Sequence, residues 1–556
     1  MEFEQKAEEK KMSMSKNIAR LAVTAGLTAA LSFGGVMAPV SMAFAAEANG
    51  SVTIGKALGN DTEFMGYKIF DADVAKDENG QTLVSNIAWA NDKVGAAVKK
   101  AIEEFDTGAT IATAQDAADW ISNNVMHTGE TTSVASDSAA YKIAAAVAKV
   151  TGLDDSSDYA ATSNGVASNL SHGYWLFVTN ALTVAGTETA TAPIFAVVGD
   201  DPVSITEKTS IPTVDKQVRE GDAWGKVSDS YIGEEVEYKL TGSVASNIDT
   251  FTKYEYTFQD HLSVGLEAIK SSVNVTINDK VINGYTVDLV DTKNASGNLT
   301  GGQDLTISFS NLKDAAKAAG VTLTGGSKVV VTYKAKLTDK AEYTATGNTN
   351  DVKLVYSNNP MTSDTGTSTS KRVTDHVFRL DVTKVEKDNE GQKLEATFQV
   401  KMTKEGGKEL KDNRWLTQTG GITDKEEKAG KFTTSKGADK IYIPGLVAGT
   451  YEITECNTPA GYNTLAPFTI TVDPTYDENG TLTGLDVTPS NTEMVTPSTT
   501  NDATIPVTIK NKKGSGLPLT GLNGVTFTWI AGGAVLCIGV AHLIRSRKQA
   551  EESEQE

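Results

Sequence analysis

Two periods of apolar residues divide this chain. Asn91 to Phe105, Thr113 to Val125 and Ser138 to Val150 are Ala-rich, and Val94, Val98 and Ile102 recur at the spacing that lines one face of a helix. Apolar runs of strand length flank them: Tyr67 to Phe70 before, Tyr174 to Val178 and Pro193 to Val198 after. The stretch from Ser51 to about Val203 therefore predicts an α+β unit. From Lys216 onward the period becomes two. Val236, Tyr238 and Leu240 alternate with Glu235, Glu237 and Lys239, and Val331, Tyr333, Ala335 and Leu337 repeat the pattern. Only Asn311 to Ala319 has helical spacing there. This predicts a mostly β protein in which tandem immunoglobulin-like β-sandwiches follow the α+β N-terminal domain. A Ser-, Thr- and Gly-rich stretch from Pro360 to Ser370 predicts a linker or exposed loop, and a second β block runs from about Val377 to Lys513. Within that block, Asp477 to Gly480 predicts a turn and Ser490 to Thr504 a long loop before the last strand. The resulting division is 46–206, 207–372 and 373–514.

Both ends depart from these patterns. Lys10, Lys11, Lys16 and Arg20 precede an Ala- and Leu-rich run from Leu21 to Phe44 that closes on Ala43-Phe44-Ala45, so residues 1–45 read as a secretory signal peptide. Its removal leaves a mature chain of roughly 475 residues, too many for one core. At the other end, the mostly apolar run from Val525 to Ile544 would span roughly 30 Å as a helix, enough to cross a bilayer, and Arg545, Arg547 and Lys548 behind it read as a stop to translocation. An acidic tail follows.

The formal charge is −20. The terminal segments carry equal numbers of each sign, so the whole charge belongs to the mature part, which favours solubility and argues against a nucleic-acid partner. There are two cysteines, and Cys537 lies in the apolar run, which leaves Cys456 without an intramolecular disulfide partner in an exported chain. The five histidines (His127, His172, His261, His376, His542) show no metal-ligand spacing, and Asp71 to Gly80 lacks the Gly and terminal Glu of an EF-hand loop and predicts a hairpin turn. No phosphate-binding Gly-rich loop and no Gly-x-Ser-x-Gly elbow occurs. Neither an enzyme site, a metal site nor a cofactor is expected.

Leu517-Pro518-Leu519-Thr520-Gly521, followed by the apolar run and the basic stop, resembles the cell-wall sorting signal of Gram-positive surface proteins. The resemblance implies that a membrane sortase cuts between Thr520 and Gly521, that residues 515–556 are a temporary tether, and that the product ends up on peptidoglycan.

In the last block, Leu380 to Val385, Tyr451 to Glu455 with Pro459-Ala460-Gly461-Tyr462, and Val507 to Asn511 resemble the Cna B-type immunoglobulin-like domain of Gram-positive adhesins and pilins. In that family the first-strand Lys and last-strand Asn condense into an intramolecular isopeptide bond with the help of a Glu. The resemblance assigns Lys384, Asn511 and Glu455. Elementary electrostatics supports the chemistry: burial disfavours a charged amine and a charged carboxylate alike, leaving a nucleophilic amine beside an acid that can shuttle protons.

The middle block shows a parallel set. Pro212 to Val218, Phe258 to Leu266 and Leu354 to Pro360 resemble the isopeptide-forming middle domain of fimbrial major pilins, which implies Lys216, Asp260 and Asn358. Asn359 is adjacent, but neighbours in a strand face opposite ways, so only one of the two can meet Lys216, and Asn358 is taken.

Just upstream, Lys208 in Val203-Ser204-Ile205-Thr206-Glu207-Lys208 holds the position at which sortase-polymerised major pilins carry the lysine that attacks the sortase-bound Thr of the next subunit, although Thr206-Glu207 stands where the family commonly has Tyr-Pro. Taken together, the resemblances imply a non-enzymatic shaft subunit of a covalent, wall-anchored fimbria that contributes to adhesion. Its partners would be pilus-type and housekeeping sortases, further copies of itself, other pilin subunits, peptidoglycan and a host or matrix ligand. A monomeric wall-anchored adhesin of the same domain types is the alternative, and Lys208 separates the two.

Overall fold

The structure, a computed structural model, describes residues 50–514 apart from 56–61, 79, 81, 126–137, 151, 154–158, 185, 294–295, 298, 438–439 and 499–501. The expected signal peptide and the sorting signal, with Thr520 and its neighbours, lie outside the described residues. No helix among the described residues is long and apolar enough to cross a membrane.

The first unit is built in three layers. A five-stranded antiparallel sheet in the order Thr82–Trp89, Phe64–Lys76, Gly173–Thr179, Ile194–Val198, with Tyr159–Ala161 on the second strand, forms the middle layer. Helices Asp92–Phe105, Ala114–Asn124 and Ala139–Val147 pack on one face through Val94, Val98, Ile102, Ile121 and Ile143. A small sheet of Gly50–Gly55, Val166–Leu170 and Val203–Thr206 covers the other face through Val52, Ile54 and Ile205. Every residue of Gly173–Thr179 is buried, which explains why that run is apolar without alternation. Each helix begins where an Asn, Thr or Ser side chain accepts a backbone N–H of the first turn: Asn91 from Val94, Thr113 from Asp116, Ser138 from Tyr141. The third helix ends sooner than its spacing suggests. Lys149 and Val150 bond three residues back, to Ala146 and Val147, in a tightened last turn.

The middle unit is a sandwich. One sheet runs Ala223–Gly225, Val214–Glu220, Glu235–Ser243, Lys328–Leu337, Leu266–Ile277, Lys280–Val281. The other runs Val227–Asp229, Lys371–His376, Asn348–Ser357, Tyr256–Leu262, Leu299–Phe309, Thr286–Lys293. The alternating residues read from the sequence, such as Val236, Tyr238, Leu240, Val331 and Tyr333, lie side by side on the core face of the first of these sheets, and Leu312–Ala318 is a helix of this unit. The third unit repeats the sandwich plan. Its first strand Phe378–Glu386 and last strand Thr504–Asn511 lie side by side and parallel, and the facing sheet includes Thr397–Glu405, Gly449–Asn457, Phe468–Tyr476 and Leu482–Pro489. The fold class is thus mostly β, with tandem sandwiches after an α+β unit.

Three expected loops carry more pairing than their composition suggests. Within Pro360–Ser370, Thr365–Thr367 pairs with Asn348–Ser357. Within Ser490–Thr504, Val495–Pro497 pairs with the last strand. The stretch from Asp71 to Gly80 is mainly strand, since Phe64–Lys76 continues through its first six residues, and the Gly80 N–H bonds back to the Asp77 carbonyl. Ladder bonds are made by backbone, so polar side chains at an edge do not prevent them.

Candidate functional site

Alternation decides which polar side chains enter the cores. In Val214–Glu220 the buried positions are Val214, Lys216 and Val218, so Lys216 points inward between two valines. In Tyr256–Leu262 the same phase buries Phe258, Asp260 and Leu262, and in Asn348–Ser357 it buries Asn348, Asn350, Val352 and Leu354. Lys216 and Asn350 are 0 % exposed and Asp260 2 %.

These side chains meet across the sandwich. The Lys216 ammonium donates to Asp260 Oδ1, to Asn350 Oδ1 at 2.7 Å and to the Tyr333 hydroxyl at 3.3 Å. Asp260 faces Val352 and Leu262 faces Asn350 in the antiparallel ladder, which makes Asp260 and Asn350 diagonal neighbours on one face. Lys216 Nζ lies 5.5 and 5.6 Å from the ring centres of Tyr238 and Tyr333. Burial pulls the Lys216 amine down to about 8, against the opposing pull of Asp260, and burial likewise pushes the Asp260 carboxyl up.

The expected partner Asn358 is therefore corrected to Asn350. Asn358 shares the inward phase but sits past the end of its strand, six positions from the residue opposite Asp260, which is roughly 20 Å along a strand. Its backbone instead bonds Asp364 and Ala190, joining the middle unit to the first, and its side-chain oxygen has no partner among the described residues. Asn359 turns its Oδ1 to the Met361 N–H. A signal was present in the sequence: Asn350 is in phase with Val352, Leu354 and Tyr356, and a core-facing Asn needs a polar partner.

The third unit brings its expected residues together. Lys384 follows Leu380 and Val382 in phase, Glu455 follows Tyr451 and Ile453, and Asn511 follows Val507 and Ile509. Exposures are 2 %, 5 % and 0 %. Lys384 stands opposite Ile509 in the parallel pair, so Asn511 is two residues further along the same face. The Lys384 ammonium donates to Asn511 Oδ1 and lies 3.3 Å from Glu455 Oε1, while Asn511 Nδ2 donates to Glu455 Oε2 at 3.1 Å. The Leu465 N–H, at 2.7 Å, holds the same carboxylate oxygen. Burial lowers the Lys384 amine to about 8. The Phe398 ring lies beneath it, 5.3 Å from Nζ.

Each cluster joins the first strand of its sandwich to a late one, across the two sheets in the middle unit and within one sheet in the third. Each places an amine of lowered basicity on an amide group beside a buried carboxyl. That arrangement can make an amide bond with loss of ammonia and needs no cofactor. No group of three His, Cys, Asp or Glu among the described residues could hold a metal.

Lys208 is exposed just beyond Val203–Thr206. Its backbone is fixed by bonds from its N–H to Thr191 Oγ1 at 3.0 Å and from Asn247 Nδ2 to its carbonyl at 3.5 Å, between the first and middle units.

Comparison with known proteins bears on the third unit. Residues 378–486 match the SpaA prealbumin-like fold domain. The match contains Lys384 and Glu455 and stops short of Asn511. No curated protein matches the chain. Among solved structures, the chain is similar to the T6 backbone pilin of serotype M6 Streptococcus pyogenes, at 16 % identity over 84 % of this chain and 99 % of that one, TM-score 0.45. It is similar to the major pilin SpaA of Corynebacterium diphtheriae at 16 % identity over 84 % and 100 %, TM-score 0.45, and to SpaD of the same organism at 18 % over 84 % and 98 %, TM-score 0.42.

Proposed function

We propose that this protein is the major shaft subunit of a covalently polymerised, wall-anchored pilus, and that each of its two sandwiches is locked by an autocatalytic Lys–Asn amide bond, Lys216–Asn350 and Lys384–Asn511. The observation that carries the reading is the pair of buried lysine–acid–asparagine clusters, each tying the first strand of a sandwich to a late one. A fibre under tension needs such staples, since load passes through the bond and the intervening chain cannot unravel.

The condensation is balanced without any other reagent. The neutral lysine nitrogen attacks the asparagine Cγ, the C–Nδ2 bond breaks, and ammonia leaves as the amide forms. Asp260 or Glu455 accepts a proton from the amine and returns one toward the departing nitrogen. The core keeps water from competing.

Assembly follows from the two ends. The sorting signal supplies a sortase acyl-enzyme at Thr520, and Lys208, exposed at the boundary of the first and middle units, supplies the amine that resolves it. The contact is head to tail and does not close on itself, so it grows a filament. Immunoblotting of wall extracts tests this. Lys208→Ala should abolish a ladder of very large species and leave surface monomer with both internal bonds. A ladder that survives it would move the acceptor to another lysine, and a single band in the unaltered protein would favour a monomeric adhesin.

A further inference from the structure

The two clusters differ in how the acid reaches the leaving nitrogen. In the third unit Glu455 Oε2 accepts directly from Asn511 Nδ2 at 3.1 Å. In the middle unit the acid is Asp260, one methylene shorter, and no hydrogen bond joins it to Asn350 among the described residues. Tyr333 fills the gap. Its hydroxyl donates to Asp260 Oδ2 at 2.5 Å and accepts from Asn350 Nδ2 at 2.7 Å, while Lys216 Nζ lies 3.3 Å away. Tyr333 is 1 % exposed, and its ring stacks on Tyr238 with centroids 5.3 Å apart, so the hydroxyl is held in place by packing.

We propose that Tyr333 is a catalytic residue of the middle-unit condensation, its hydroxyl relaying a proton from Asp260 to the departing amide nitrogen of Asn350. This rests on the reading that Lys216 and Asn350 condense. As Lys216 Nζ bonds to Asn350 Cγ, its surplus proton passes to Asp260 Oδ1. Asp260 enters the reaction with a proton already on Oδ2; as Oδ1 takes the lysine proton, the Oδ2 proton moves to the Tyr333 oxygen, the Tyr333 proton moves to Nδ2, and ammonia departs, leaving the carboxyl with one proton as before. Tyr333 and Asp260 finish as they began. Both hydrogen bonds of the hydroxyl reverse direction once Asp260 carries the proton, which a hydroxyl can do by rotating. The sequence holds the same contrast: a short acid is paired with a buried tyrosine in one sandwich, and a longer acid acts alone in the other.

The test is peptide mapping of the full-length chain for the two cross-linked peptides, with protease resistance as the check on folding. The unaltered chain should contain both; absence of the Lys216 cross-link there would overturn the parent reading, not the role of Tyr333 alone. Tyr333→Phe should reduce the Lys216–Asn350 cross-link at least about tenfold at matched times after synthesis and leave Lys384–Asn511 complete. Tyr256→Phe is the control: it removes another buried hydroxyl of the same core, one bonded to the Ser243 carbonyl, and should leave both cross-links complete. A folded Tyr333→Phe chain with a full Lys216–Asn350 cross-link would overturn the proposal. Should that variant not fold, 3-fluorotyrosine at 333 keeps the hydroxyl but makes it a stronger acid. The rate of cross-linking should then change more than about twofold, and an unchanged rate would overturn the proposal equally.

Discussion

A lysine flanked by Val214 and Val218 in an inward phase would ordinarily be a costly choice, because burying an ammonium demands a partner of opposite charge. Lys216 and Lys384 each have a carboxylate and an asparagine oxygen within reach, and burial lowers both amines to about 8. At that value roughly a tenth of the amine is neutral at pH 7, enough to start the proposed condensation, which would not reverse once ammonia had gone. Replacing either acid by its amide removes the proton carrier. Asp260→Asn and Glu455→Gln should therefore each cancel about 17 Da of the mass deficit, half the total, with the other sandwich unaffected. The asparagine assignment is tested the same way. Asn350→Ala should cancel about 17 Da, and Asn358→Ala should cancel none, because Asn358 stands at the junction with the first unit and not at Lys216.

At the scale of elements, a bond between Lys384 and Asn511 fixes two parallel neighbours in one sheet, and a bond between Lys216 and Asn350 fixes one sheet to the other. Either closes a loop of more than 100 residues, for which the chain-entropy estimate is about 4.7 kcal/mol or slightly more. Glu455→Gln should accordingly lower the melting temperature of the third unit by about 10–20 °C, read by calorimetry, with the middle transition in place. The alternation of Val236, Tyr238 and Leu240 and the Ala-rich helical spacing made the element types legible, and so were the inward phases of Lys216, Asp260, Lys384 and Glu455. Register was not legible. Asn350 and Asn358 share a phase, and only the ladder that sets Leu262 against Asn350 separates them. Tyr333 was equally hidden, since its alternation with Val331 and Ala335 is what any core tyrosine shows. The short strands Thr365–Thr367 and Val495–Pro497 escaped because their pairing is made by backbone in polar surroundings.

Across the whole molecule the middle and third units share a junction with an acidic interior. Asp229 Oδ2 accepts the Ala448 N–H at 2.7 Å, Asp375 Oδ1 accepts from Ser228 and Ser230 at 2.8 Å each, and the Ile232 N–H reaches the Gly420 carbonyl. Burial, more than the neighbouring carboxylates, pushes Asp229 and Asp375 up to about 7 and Glu234 up to about 8. Raised acids hold protons in the folded state that the unfolded chain releases, so their contribution is complete below the ordinary carboxylate range and is lost as pH rises through 7 to 8. The junction should be firmer at pH 5 than at pH 8.5. Hydrogen exchange at Ala448 and Ile232, corrected for intrinsic rates, should be slower at the lower pH, and Asp229→Asn with Asp375→Asn should flatten the difference; equal protection at both values would contradict it. Units stapled as proposed and joined by such a junction, with Lys208 exposed at the other end of the middle unit, would form a link suited to a load-bearing chain. The central claim, that both sandwiches are covalently closed by this protein's own residues, is tested most directly by the intact mass of the chain from Ala46 to Lys513 made in a host without sortase. The account expects a mass about 34 Da below the sequence value, with cross-linked peptides joining Lys216 to Asn350 and Lys384 to Asn511. A mass equal to the sequence value would contradict it.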